Sequence, residues 1–154
     1  MIQGAPLASF LIISLLIIPF GKRFAPLAAY LTIAAIGSSL GLSIWAFISI
    51  ADEGIIDYGA RTWFSVPGLE IPYGVMMDSL TAIMVLVVSA ISLLVQIYSV
   101  GYMKGDPGYA KYFAFMSLFT ASMLGLVLAR GIIQIYVFWE LVGLSSYLLI
   151  GFWY

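Results

Sequence analysis

The chain contains no cysteine and no histidine. Disulfides, zinc sites, iron–sulfur clusters and histidine-ligated haem therefore cannot be built from this chain alone. The missing cysteine leaves the redox compartment open. Charge is scarce too: 8% of the 154 residues are charged, six Lys and Arg against seven Asp and Glu, with a formal net charge of −1. A nucleic-acid binder needs a basic face to neutralise phosphates, and this composition excludes one. The N-terminus also lacks positive charge ahead of its apolar run. Residues 1–20 carry no charged side chain, and Lys22 and Arg23 come after them. A secretory signal peptide has the opposite order, so the pattern indicates an uncleaved helix with its N-terminus outside.

What the sequence has is apolar surface. Hydrophobic residues make up 64% of it, and the mean hydropathy is +1.13. A soluble domain is about 45–50% apolar and about 25% charged. A chain this short leaves too much surface in water to hide the excess, so the remaining solvent is lipid and the fold class is an all-α membrane protein. A spanning helix needs roughly 20 apolar residues to cross a hydrocarbon core of about 30 Å. Five windows qualify as transmembrane helices: 5–20, 26–50, 79–102, 112–129 and 132–153. The one long connection lies between the second and third. It holds Trp63-Phe64-Ser65-Val66, a Pro67-Gly68 turn, then Leu69 to Met77. The pattern predicts a short external β hairpin over 58–77, with Pro72 and Gly74 weakening its second strand.

Lys and Arg in short loops set orientation. Lys22, Arg23, Lys104 and Lys111 fall on one side, and Arg61 and Arg130 on the other. The hairpin, with Asp52, Glu53, Asp57 and Glu70, is therefore expected outside. The run 104–111, with Asp106-Pro107-Gly108, reads as a solvated turn. Tyr154 follows an apolar run with no polar anchor, which suggests an N-terminal fragment of a longer protein.

Twelve of the thirteen charged residues fall in loops or at helix ends; Glu140 alone lies inside a spanning segment. Nine residues into the fifth helix, at 1.5 Å per residue, it sits roughly 14 Å deep. A charged side chain there costs about 2.5–3.5 kcal/mol on insertion scales, and such carboxylates usually face a bundle interior or a wet cavity. The fifth helix is thus expected to be built around one buried carboxylate. Desolvation raises a carboxylate's pKa and a nearby cation lowers it, which is the minimal equipment of a proton relay. Tyr136, Gly143 and Tyr147 share its helix face, where the tyrosines either hold a water beside the carboxylate or serve as aromatic packing. A bonded, protonated and purely structural Glu140 is the plain alternative. No Lys or Arg occupies any of the five cores, so a cationic partner must come from elsewhere.

Other features have simpler readings. Gly37-Ser38-Ser39-Leu40-Gly41 is a GxxxG pattern suited to close helix approach. Ser145 and Ser146 are small residues suited to helix contacts. Asp78, ahead of the third helix, reads first as an N-cap. Gln96 and Gln134 suggest no role.

The run from Gln134 through Trp139-Glu140-Leu141-Val142-Gly143 to Trp153 resembles the antiporter-like membrane-arm subunit of respiratory complex I and of related photosynthetic dehydrogenases. So do Met77-Asp78-Ser79-Leu80-Thr81, the stretch Tyr102-Met103…Gly108-Tyr109, Tyr112 to Phe115, and Ser122 to Gly125. The likeness is specific over residues 74–154 and rests on topology before that. It implies proton translocation coupled to electron transfer onto quinone, with Glu140 as the key carboxylate and its lysine partner on a later helix. Tyr136, Tyr147 and Asp78 are the candidates for support of Glu140; the resemblance further implies no cofactor in this chain, with quinone and redox centres in partner subunits. Other membrane-arm subunits, protons and the lipid bilayer are then the partners. The setting is an energy-transducing membrane: bacterial plasma, thylakoid or mitochondrial inner. The alternatives are a subunit of a multi-subunit cation/proton antiporter and a small structural membrane protein.

Overall fold

The computed structural model describes residues 2–19 and 24–153. Five helical segments and one hairpin follow in chain order. Helix α1 spans Gly4–Ile12 and continues as a π turn, Ile13–Ile17. Then come α2 (Ala25–Glu53), β1 (Ile56–Val66), β2 (Leu69–Met77), α3 (Ser79–Tyr102), α4 (Tyr109–Leu128) and α5 (Ile132–Ile150), with a closing 3₁₀ turn over Gly151–Trp153.

Four segments are long and apolar enough to cross a membrane: Ala25–Asp52, Ser79–Tyr102, Tyr109–Leu128 and Ile132–Trp153. The first helix is shorter than expected. Gly4–Ile17 rises only about 21 Å at 1.5 Å per residue, because Pro19 has no N–H with which to extend it. The far end of the expected window, residue 20, lies outside the described residues, as do Lys22 and Arg23.

Local chemistry sets the other boundaries. Pro26 sits in the first turn of α2, where its missing N–H costs nothing. Gly54, at φ 86°, ends that helix in a conformation that only glycine adopts easily. Asp78 caps α3, its Oδ1 accepting from the Thr81 N–H at 2.7 Å. Asp106 Oδ1 accepts from the Gly108 N–H at 2.7 Å, tightening the turn that leads into α4. The hairpin is antiparallel, from Ile56↔Met77 at its base to Val66↔Leu69 at its turn. It starts two residues earlier than the sequence predicts. Pro72, opposite Thr62 beside the irregularity at Trp63, is accommodated because both strands of a two-stranded sheet are edges.

Helix α4 is the hub: it contacts α1, α2, α3 and α5, and most of it is buried. Large aliphatic and aromatic side chains point outward, including Leu15, Trp45, Leu94 and Ile150. Small and hydroxyl side chains point inward. Ser39, Ser43, Ser89, Ser117 and Thr120 are all buried. In lipid this arrangement is sensible, since outward apolar groups cost nothing and close packing of small residues holds helices together. Hydroxyls also bridge helices. Ser117 donates to the Pro6 carbonyl at 2.8 Å and meets Ser9; Ser39 donates to the Ile2 carbonyl at 2.6 Å; Ser99 meets the Tyr112 hydroxyl at 3.1 Å.

The GxxxG pattern does not join helices inside the chain. A Cβ at Gly37 or Gly41 would meet nothing within 4 Å. The close approaches lie elsewhere. A Cβ at Gly125 in α4 would fall on the Phe138 ring of α5, and one just ahead of α4, at Gly108, would lie 2.5 Å from Phe152 Cζ. Two glycines thus seat two rings and fix the α4–α5 distance.

Candidate functional site

Helix α5 begins where the chain turns out of α4 through Ala129, Arg130 and Gly131. Ala129 and Gly131 are extended, with ψ 134° and ψ 151°. The base of the hairpin is fastened to this break. Val75 forms a β-bridge with Ala129, and Arg130 Nη1 pairs with Asp57 Oδ1 at 2.6 Å. The buried Gln134 accepts from the Gly74 N–H at 3.1 Å. Gly74 itself has no room for a side chain, since a Cβ there would lie 2.8 Å from the Gly59 carbonyl oxygen. The exposed ion pair contributes little. The buried amide bond matters more, because stranding the Gly74 N–H would cost about 1–3 kcal/mol. Gln134, unassigned by sequence reasoning, is therefore what ties the start of α5 to the hairpin. Its legible signal was its polarity one turn into an apolar helix.

From Gln134, one face of α5 packs on α4. Phe138 meets Gly125, Ser145 is fully buried, and Phe152 lies edge-on to Tyr112 at 5.7 Å. Ser145 is thus a helix-contact residue, as expected. The opposite face is uncovered. Tyr136 and Tyr147 are 65% and 72% exposed, and Glu140 and Gly143 between them are exposed too. The four residues share one stripe, as their spacing requires. No side-chain hydrogen bond among the described residues involves Glu140, Tyr136 or Tyr147.

This corrects the expected burial of Glu140. The carboxylate lies midway along α5, but it is exposed among the described residues, because α5 has only α4 as a helical neighbour of any extent there. Asp78 does not join this stripe. It sits at the start of α3 as a cap, its carboxyl held below the usual range chiefly by the Thr81 hydrogen bond. On the other membrane side, a cavity of about 780 Å³ opens between the turn at Asp106–Gly108, Lys111, Tyr147 and Trp153. Among the described residues no cluster of acidic side chains could hold a metal ion.

Comparison with known proteins gives a consistent picture. The family described as NADH-ubiquinone oxidoreductase (complex I), chain 5 N-terminus, matches residues 63–113. The chloroplastic NAD(P)H-quinone oxidoreductase subunit 5 of Anthoceros angustus is 44% identical over 156 residues, covering 97% of this chain and 21% of that protein. The chain spans about a fifth of the length of the curated relatives it matches. Its fold is shared with the membrane-bound sulfane sulfur reductase, an archaeal respiratory membrane complex. There the TM-score is 0.76 at 19% identity, covering 95% of this chain and 28% of the other. The Mrp complex of a Dietzia species gives a TM-score of 0.67 at 28% identity, covering 97% and 16%. Along almost its whole length the chain is thus similar to subunit 5 of the NAD(P)H-quinone oxidoreductases, and the resemblance carried by its α3, α4 and α5 motifs is borne out.

Proposed function

We propose that this chain is part of a proton-translocating subunit of a quinone-reducing dehydrogenase complex, with Glu140 as a proton-carrying group. The observation that carries the reading is a single carboxylate midway along a spanning helix, on a face its own chain leaves open. An ionised carboxylate facing lipid is costly, so that face requires protein or water from elsewhere. A neutral, protonated Glu140 is tolerated in an apolar setting, while an approaching cation favours release of the proton. Alternating between these states moves a proton past the middle of the membrane. Tyr136 and Tyr147, one and two turns away on the same stripe, can hold a water beside the carboxylate.

Redox chemistry is assigned to partner subunits, because a chain without His or Cys lacks the usual ligands of iron–sulfur clusters and haem. The electron donor is NADH, NADPH or ferredoxin, and quinone is reduced outside this chain. By the Lys and Arg distribution, the N-terminus and hairpin face the proton-receiving side and Lys104 and Lys111 the other. The sequence likeness to the Mrp complex favours a second reading, a subunit of a cation/proton antiporter.

The test uses the full-length subunit in its assembled complex. Glu140→Gln keeps the shape and removes the titrating proton; Glu140→Asp keeps the proton and shortens the reach. Gln is expected to lower the ratio of protons moved to quinone reduced by about tenfold or more. Asp should retain much of that ratio through bridging water. Normal pumping by fully assembled Gln enzyme defeats the reading. Sodium/proton exchange without quinone reduction selects the antiporter.

A further inference from the structure

Outside the α5 stripe, the inward face of α3 carries a second polar feature. Four buried polar side chains, Ser89, Ser92, Gln96 and Ser99, follow at intervals of three and four residues and so lie on one face. They form a seam about 15 Å long at 1.5 Å per residue. Both ends of the seam are tied to other helices. Ser89 bonds Ser43 of α2 at 3.4 Å, and Ser99 meets Tyr112 of α4 at 3.1 Å. Between them Gln96 is fully buried, yet neither its amide nitrogen nor its amide oxygen has a hydrogen-bond partner among the described residues.

A buried, unpaired amide costs free energy on both its donor and its acceptor side, and native interiors rarely leave one so. At zero exposure Gln96 cannot be reached by a further helix or a neighbouring subunit. Its partner must be small enough to lie inside the bundle. A metal ion suits poorly, because it would satisfy the oxygen and repel the NH₂ group, and the seam carries no anionic side chain. Water satisfies both, since it donates to the oxygen and accepts from the nitrogen, with capacity left for the serine hydroxyls one turn away.

We propose that Gln96 is the anchor of an internal water site in the α2–α3–α4 core, closing the gap in a polar seam that runs from Ser43 to Tyr112. The seam's Tyr112 end adjoins Lys111 in the first turn of α4, on the membrane side of the turn carrying Lys104, so the water exchanges from that side of the membrane. Gln96 lies on a different helix from Glu140, and this site stands whether or not Glu140 carries protons.

The experiment is a map of the assembled complex at a resolution where ordered waters are visible, for the native subunit and for Gln96→Leu. The expected result is water density within about 3 Å of both amide atoms, absent in the Leu variant. A dry Gln96 in a map that shows waters at other buried sites overturns the proposal. So does an amide paired directly with protein, or a sodium-dependent density on the oxygen alone. Stability gives a reading that needs no map. A stranded dry amide predicts that Gln96→Leu raises the folded-to-unfolded ratio by about tenfold or more, whereas a hydrated amide predicts no such gain.

Discussion

The seat of Phe138 on Gly125 gives a sharp quantitative test of how α5 is held. A Cβ built on Gly125 falls against the ring edge, 2.6 Å from Phe138 Cδ1 and 2.6 Å from Gln3 Nε2 on another side. Carbon atoms pack best at about 3.5–4.0 Å, so Gly125→Ala requires the ring to retreat by about 1 Å. Overpacking of this kind costs about 1–3 kcal/mol. The better helix propensity of alanine returns about 1 kcal/mol at most. The Gln3 amide, at the end of a flexible side chain, can swing aside, so the ring is the obstruction that counts, leaving a net loss of about 1 kcal/mol, or roughly fivefold in population. Replacing Phe138 by Leu shortens the side chain where the clash occurs, so Gly125→Ala with Phe138→Leu should recover much of the loss. A double-mutant cycle, read by resistance of the full-length subunit to graded denaturing detergent, should show a favourable coupling of about 1 kcal/mol or more. The functional consequence follows from position. Phe138 lies two residues before Glu140, and proton transfer requires heavy atoms within about 2.6–3.2 Å, so the single variant should also lower the protons moved per quinone. If Gly125→Ala is as stable as the native protein, or the two substitutions simply add, the ring-on-glycine seat does not set the α4–α5 distance.

Two further outcomes are expected. The Asp78 carboxyl is held below its ordinary value of 3.8, mainly by the Thr81 N–H, so its cap is fully effective above the unfolded pKa and is lost as pH falls through the lowered folded pKa. Stability measured between pH 5 and pH 2.5 should therefore drop in the native subunit with a component that Asp78→Asn removes; an unchanged profile in Asp78→Asn excludes the cap as its source. A single cysteine at the exposed Ser65 should react with a membrane-impermeant reagent only from the proton-receiving side, and labelling only from the opposite side reverses the orientation.

Much of the fold was legible because lipid imposes length and polarity on each segment. Helix α3 begins at Ser79 as read, because Asp78 supplies the acceptor that the first free N–H groups need. The hairpin was legible from Pro67-Gly68 between β-rich runs. Its early start at Ile56 was not, because that part of β1 holds Gly59 at φ 75° and a register irregularity that local propensity does not reveal. The first helix was overestimated by counting apolar residues through Pro19. The GxxxG pattern names no partner: composition says that a helix can approach closely but not which helix does, and among the described residues the approaches fall at Gly125 and near Gly108. Gln96 and Gln134 were passed over because a neutral amide carries no charge to betray it. Their importance comes from burial, which only the tertiary structure supplies.

Helix α5 brings these strands together because its two faces are governed by different physics. The covered face is specified within the chain: Gln134 bonded to Gly74, Phe138 on Gly125, Ser145 buried, and Phe152 against Tyr112. Those contacts fix the rotation of the helix about its axis, and with it the direction of the open face. On the covered face a lone carboxylate would point toward α4, where the Phe138–Gly125 contact and the buried Ser145 leave it little room. Glu140 instead lies on the stripe with Tyr136, Gly143 and Tyr147, the side on which its chain makes no claim. A carboxylate at that depth is tolerable only where it is protonated, hydrated or paired. On the reading proposed above, the exposure of Glu140 in this chain hands control of its proton to whatever covers the open face, as a coupled translocase requires.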